Sequence, residues 1–387
     1  MKKMRRRPLH ALFVSGHVVW VKHKTCRFNF STWRDGYAGG FPRRVQLDFL
    51  IYLCDLLRTG QQVVVRGRVL LASNSHPSKL FVFGDSYSDT GNTNKTQSAW
   101  KYPYGITFPG KPADRFSSGR VLTDFIAKSI GLKRTPITYR QRNIETSLLT
   151  YGMNFAYGGT GVFETLLKSG PNMTTQIGFF QNLIRDNVFT AADLESSMTL
   201  VTLAGNDFST YIIRNGSAQG WKPFITAVVN QLTINLRRIH GMGVKKIIVN
   251  ALQPLGCVPS KTAISSFQQC NETENSLVVF HNLLLQQAVA KLNSEAKDSY
   301  PFVILDLYDS FLSVIKNKGG TQFENPLKPC CFGISSKYNC GSVDENGAKK
   351  YTVCEDPESA FFWDGVHPTQ AGWTAVYSAL RATDLQH

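Results

Sequence analysis

The chain has 387 residues, 42% of them hydrophobic, and a formal net charge of +16. This length holds one large α/β domain or two smaller ones, and no apolar run reaches the roughly 18 residues of a membrane-spanning helix. The charge does not point to nucleic acid: residues 1–78 carry 14 Lys and Arg against 3 Asp, a net of +11, and the rest is only mildly basic and holds no nucleic-acid motif.

Residues 1–78 do not read as a domain. Residues 1–7 are basic, 9–21 are apolar but broken by His10, Gly16 and His17, and 63–72 are interrupted by Arg66, Gly67 and Arg68. Neither stretch makes a good signal peptide. The segment is expected to be a poorly packed basic leader, either a targeting sequence or the product of a misassigned start. From Lys79 the pattern becomes alternating strand and helix. Lys79–Phe83 reads as a buried strand, broken by Gly84-Asp85-Ser86. Residues 94–119 form a Pro/Gly-rich loop, expected to wall a substrate site. A helix is expected over 121–130, a strand over 152–156, a helix over 176–185 and a strand over 198–204. Helices over 223–240, 272–297 and 370–381 and strands over 244–251 and 302–307 complete the set. Such alternation implies a parallel sheet covered on both faces, with right-handed crossovers.

A serine just past a buried strand lies where α/β sheets bind ligands. A helix starting nearby would favour developing negative charge through its free N–H groups. Serine is also common as a cap or turn residue, so the stretch around Ser86 leaves both readings open. Residues 361–368 tip the balance. Asp364 and His367 stand three apart in a turn containing Gly365 and ending at Pro368. A serine hydroxyl needs a base to take its proton, and the base needs an orienting carboxylate. Gly158-Gly159 and Gly205-Asn206 also fall at strand ends, where donors for an oxyanion belong. Their bland readings are a tight turn and an Asx-turn or helix cap.

Four blocks occur in sequence order: Gly84-Asp85-Ser86-Tyr87-Ser88-Asp89-Thr90-Gly91-Asn92, Asn154-Phe155-Ala156-Tyr157-Gly158-Gly159-Thr160-Gly161, Ala204-Gly205-Asn206-Asp207 and Asp364-Gly365-Val366-His367-Pro368. Over about residues 79–383 the chain resembles the plant GDSL esterase/lipases of the SGNH hydrolase superfamily. Tyr87 stands where that family's first block usually has Leu. The resemblance implies a three-layer α/β/α sandwich of flavodoxin type and a serine esterase or lipase needing no cofactor or metal. It implies Ser86 as nucleophile, His367 as base and Asp364 as the acid that orients it. The oxyanion hole would come from the Ser86 N–H, a glycine of the second block (Gly158 ahead of Gly159) and the Asn206 side chain. An acyltransferase of the same fold is the nearest alternative, and a catalytically silent lipid- or wall-binding protein the more distant one. The implied partner is a small-molecule or lipid ester, not nucleic acid, and the oligomeric state is left open.

Other residues receive plainer readings. Asp85 and Asp89 are ordinary acids near a helix start, Asp207 is structural, and Arg115 and Arg120 either touch substrate or, as the plainer reading has it, are solvated loop charges. His240 and His281 are packed or solvated helix residues. Phe361-Phe362-Trp363 either lines an acyl site or packs the turn onto the core. Of eight cysteines, Cys26 and Cys54 lie in the leader. Cys257, Cys270, Cys330, Cys331, Cys340 and Cys354 form an even set, expected as disulfides of an oxidising compartment, with the pairing open. The absence of a Cys-x-x-Cys pair argues against zinc. Glycosylation sequons at Asn94, Asn172, Asn215 and Asn271, and a fifth at Asn29 in the leader, agree with a secreted protein.

Overall fold

The computed structural model describes residues 10–14, 17–22, 25–27 and 77–385, apart from 145, 168–169, 299 and 317–322. The chain divides into two units, Met1–Val65 and Arg66–His387. In the first, β1 (His10–Val14), β2 (His17–Lys22) and β3 (Thr25–Arg27) pair antiparallel in that order. The remainder of the basic leader up to residue 76, with Asn29 and Cys54, lies outside the described residues.

The second unit is built on β4 (Lys79–Phe83). Successive side chains of a strand point to opposite faces, and here both faces are covered. Phe81 and Phe83 enter one core while Leu80 and Val82 enter the other. All four are fully buried, which is why the run is continuously apolar rather than alternating. The other strands are β5 (Ile137–Thr138), β6 (Gly152–Asn154), β7 (Ser197–Val201), β8 (Lys246–Asn250) and β9 (Phe302–Leu305). They form a 6-stranded sheet in the order β5-β6-β4-β7-β8-β9. Every pairing is parallel, with Val82 opposite Asn154 on one side and Leu200 on the other. The strand order reverses at β4, so the ends of β4, β6 and β7 open side by side at the switch point.

The helices are α1 (Leu122–Ser129), α2 (Met173–Arg185), α3 (Ala191–Glu195), α4 (Asn206–Ile213), α5 (Trp221–Gly241), α6 (Pro259–Thr262), α7 (Glu272–Glu295), α8 (Leu307–Lys316) and α9 (Gln370–Leu385). On one face Phe180 of α2, Leu236 of α5 and Leu285 of α7 pack against Phe81, Val201 and Val249. On the other, Ile126 of α1, Phe311 of α8 and Trp373 of α9 pack against Val82, Leu200 and Ile248. The result is the three-layer α/β/α sandwich. Five of the six sheet strands and the helices α1, α2, α5, α7 and α9 fall where periodicity places them, within a few residues, whereas the two-residue β5 and the short α3, α4 and α6 carry too little pattern to be read. Helix α8 escapes the sequence reading because it starts almost directly after β9, and the apolar run hides the change of period.

A small antiparallel hairpin, β10 (Cys331–Gly333) with β11 (Tyr351–Val353), lies apart from the sheet. Its chain is crosslinked by Cys330–Cys354 and Cys331–Cys340, and a third bridge joins Cys257 to Cys270. The hairpin is pinned to the stretch before Asp364: Cys330 N–H donates to Phe362 O at 2.9 Å and Cys331 N–H to Trp363 O at 2.6 Å.

Candidate active site

The turn that carries Ser86 starts at Gly84, whose φ is +138°. A side chain there would run into Thr202 at the end of β7, so only glycine allows the two strand ends to close. Ser88 and Asp89 both donate their N–H to Asp85 O, at 3.1 and 2.9 Å. The chain then leaves this single turn instead of continuing as a helix. No helix therefore starts at Ser86 itself.

The second turn presents His367 to that serine. His367 Nε2 lies 2.8 Å from Ser86 Oγ. Its Nδ1 lies 2.8 Å from Asp364 Oδ1 and 2.9 Å from Oδ2. The turn is shaped by the same carboxylate: Oδ1 accepts the N–H of Val366 and of His367, each at 2.9 Å. Trp363 N–H closes it by donating to His367 O at 2.7 Å. Phe361, Phe362 and Trp363 are fully buried, so the aromatic run packs the turn onto the core. Burial alone would raise the Asp364 pKa, but the imidazole of His367 and hydrogen bonds from His367 and Tyr104 hold it below the usual range. An ionised carboxylate facing Nδ1 keeps the proton there and leaves Nε2 free to accept one from serine.

Phe116, from the loop over 94–119, lies against the His367 ring with centroids 5.1 Å apart. A side chain at position 158 would run into Phe116, so Gly158 lets the loop close over the site. The Gly158 N–H, however, donates to Asp89 Oδ2 at 2.8 Å. That differs from the expected open oxyanion donor, and the cause is Asp89: it is fully buried and takes the nearest amides, including Gly91 and Asn92 at 2.9 and 2.8 Å. The N–H groups of Ser86 and Gly159 have no acceptor among the described residues. Asn206 Nδ2 donates to Thr160 O at 3.0 Å and to Asp85 Oδ2 at 3.2 Å. Asp207 accepts the N–H of Val162 and Phe163 at 3.0 and 3.1 Å and ties the second block to the third.

Three sequence readings need correction. Asp85 is not merely an ordinary acid near a helix start. It is fully buried and accepts from Tyr87 N–H at 3.2 Å and Ala204 N–H at 2.5 Å as well as from Asn206. Asp89 likewise links the first block to the second. Arg115 is not a solvated loop charge: its Nε and Nη2 meet the two carboxylate oxygens of Asp124, each at 2.9 Å, with Asp124 buried and Arg115 largely covered. Arg120 is exposed. His281 is packed, and burial pushes its pKa down to about 3. Among the described residues no group of acids, histidines and cysteines could hold a metal ion, and no helix is long and apolar enough to cross a membrane.

The buried acids give the fold a pH signature. Burial pushes Asp85 up to about 7 and Asp114 and Asp207 to about 6, from an ordinary value of 3.8. Each therefore binds its proton more tightly when folded. Its contribution is complete below pH 3.8 and is lost as pH rises through 6 and 7. Asp124 and Asp364 are lowered and act oppositely, losing their contribution as pH falls through their folded pKa values below 3.8. The melting temperature is expected to peak between about pH 4 and 6 and to fall by pH 8. Thermal melts at constant ionic strength test this, and a melting temperature still climbing from pH 6 to 8 would contradict it.

A serine, an imidazole and a carboxylate in one hydrogen-bonded line, at the carboxyl ends of a parallel sheet, have the arrangement of the serine hydrolases. Comparison with known proteins narrows the class. The family model for GDSL-like Lipase/Acylhydrolase matches residues 80–380, and the chain belongs to that family. It is 57% identical over 343 residues to a GDSL esterase/lipase of Arabidopsis thaliana, covering 86% of this chain and 94% of the relative. A second Arabidopsis thaliana GDSL esterase/lipase is 52% identical over 311 residues, covering 79% and 87%. Among solved structures, an acetylxylan esterase mutant of Geobacillus stearothermophilus aligns at 13% identity and a TM-score of 0.35, over 80% of this chain and 95% of that one.

Proposed function

We propose that Ser86 Oγ attacks the carbonyl carbon of a carboxylic ester while His367 Nε2 takes its proton. The tetrahedral oxyanion collapses to an acyl-enzyme, and His367 returns the proton to the departing alcohol. Water, deprotonated by the same nitrogen, then releases the acid and restores the serine. Asp364 holds the imidazole throughout. The observation that carries this reading is the unbroken line from Ser86 Oγ through His367 to Asp364. A different alcohol in place of water would make the same site an acyltransferase. The catalytic domain is residues 79–387 in this reading. Secretion is supported by three disulfides among the described residues and by the exposure of the sequon residues Asn94, Asn215 and Asn271.

For the oxyanion we assign the Ser86 N–H, the Asn206 amide and the second block's glycine turn. Because Gly158 donates to Asp89, Gly159 is the better donor from that turn. Catalytic hydrogen bonds commonly tighten only around the transition state, and the longer Asn206 bond, to Asp85, is the one that would transfer. Asn206→Ala should therefore lower kcat about 10²–10³-fold with little change in KM. A kcat within threefold of wild type would remove Asn206 from the hole.

The direct test of the function is labelling with a fluorophosphonate, followed by mass spectrometry to find the modified residue. Adduct on Ser86, together with hydrolysis of a chromogenic ester, supports the reading. An inert Ser86 in folded protein would leave a binding protein of the same fold.

A further inference from the structure

Asp364 Oδ2 faces His367 Nδ1 at 2.9 Å, but it also accepts a hydrogen bond from the hydroxyl of Tyr104 at 2.7 Å. Tyr104 comes from the loop between β4 and α1, 260 residues from its partner. It is 3% exposed. Its ring is set by edge contacts to Trp363 at 6.0 Å and Phe116 at 6.3 Å, and Phe116 in turn lies on the His367 ring. Burial, and the charge of Asp364 beside it, push the phenol's pKa well up, so it remains a donor.

We propose that Tyr104 is a positioning residue of the catalytic dyad, fixing the Asp364 carboxylate and setting the basicity of His367. This rests on the reading of Ser86, His367 and Asp364 as the site. The physical argument is competition for one charge. A carboxylate that accepts from a phenol has less negative charge to offer the imidazolium that forms when His367 takes the serine proton. Without the phenol, the carboxylate attracts that proton more strongly. It is also held by fewer bonds, so the imidazole is less well aimed at Ser86.

The groups that face His367 come from three places. Asp364 lies on its own turn, and Tyr104 and Phe116 come from the loop. From the nucleophile turn come Ser86, Tyr87 and Asp85. The Tyr87 ring lies 6.0 Å from the imidazole and its hydroxyl donates to Val366 O at 3.1 Å. Asp85 senses the imidazolium charge and titrates near 7. It adds a pH-dependent step of its own, but Tyr104 donates to Asp364 and not to Asp85.

The test is the pH dependence of kcat/KM on a chromogenic ester, with Tyr104→Phe beside wild type. The phenyl ring keeps the packing on Trp363 and Phe116. The acid limb is expected to move up by about half to one pH unit, and plateau kcat to fall about 3–10-fold with KM nearly unchanged. Site-specific 3-fluorotyrosine at position 104 keeps the hydroxyl and makes it a stronger donor. It is expected to move the limb down, and it remains informative if the phenylalanine variant fails to fold. Fluorophosphonate labelling of Ser86 runs alongside. Labelled protein with opposite limb shifts in the two variants supports the proposal. Labelled protein with both limbs at the wild-type position overturns it and leaves the site reading intact. No labelling of folded wild type would overturn both.

Discussion

Ser86→Ala is expected to keep the fold and to lose turnover by a factor on the order of 10⁴–10⁶, to the level left by substrate binding and oxyanion donors alone. The change deletes one oxygen. The side-chain hydrogen bond of that oxygen is to His367 Nε2, so no structural partner is orphaned apart from a nitrogen that is also a base. The turn itself is held by Asp85, whose carbonyl and carboxylate bind the backbone of Tyr87, Ser88 and Asp89 without help from the serine hydroxyl. Far-ultraviolet circular dichroism and a melting curve establish folding, and kcat on a short-chain chromogenic ester gives the loss. A folded variant with wild-type turnover would remove Ser86 from the chemistry and dissolve the case that the four blocks form one site.

Much of this arrangement is legible in the chain because buried parallel strands leave a distinctive trace. Leu80 to Phe83 must be apolar at every position, since both faces of β4 are covered. The polar residues that follow such a strand lie at the sheet's functional edge, which is how Ser86 and Asn206 can be placed together. Asp364 and His367 are legible for a different reason: a three-residue spacing within one turn needs no tertiary information.

What sequence does not reveal is contact across distance. Nothing near Tyr104 marks it as the partner of a carboxylate 260 residues later. Residue type also misleads where charge is buried. Asp85 and Asp89 read as ordinary acids near a helix start and Arg115 as a loop charge, and each is instead held by partners from another segment: Ala204 N–H, Gly158 N–H and the Asp124 carboxylate. The same effect gives the Gly158 amide, expected as an open donor, an acceptor in the buried Asp89. Cysteine pairing is combinatorial, and neighbours Cys330 and Cys331 bridge to Cys354 and Cys340 respectively, a choice made by the β10–β11 hairpin.

His367→Ala should cost nearly as much as loss of the serine, and the double variant with Ser86→Ala should cost no more than either alone. The reason is that the two groups act as a unit. Without a base at 2.8 Å the serine hydroxyl keeps its proton and is a poor nucleophile. Without the serine, the base has nothing to activate at that position. Independent contributions would instead multiply. Asp364→Asn is expected to retain more activity, with kcat down on the order of 10⁴ or less, since the base survives in a poorly oriented state. Its amide also leaves the dyad without the charge that favours an imidazolium, so the acid limb of kcat/KM should move to lower pH. That is the opposite direction from Tyr104→Phe. The measurement is kcat for the two single variants and the double variant, each confirmed as folded, with Asp364→Asn added for the pH profile. A double variant slower than each single one by a further factor of 10² or more would mean that Ser86 and His367 contribute separately. The hydrogen-bonded line between them would then be a contact of the fold, not the path of the proton.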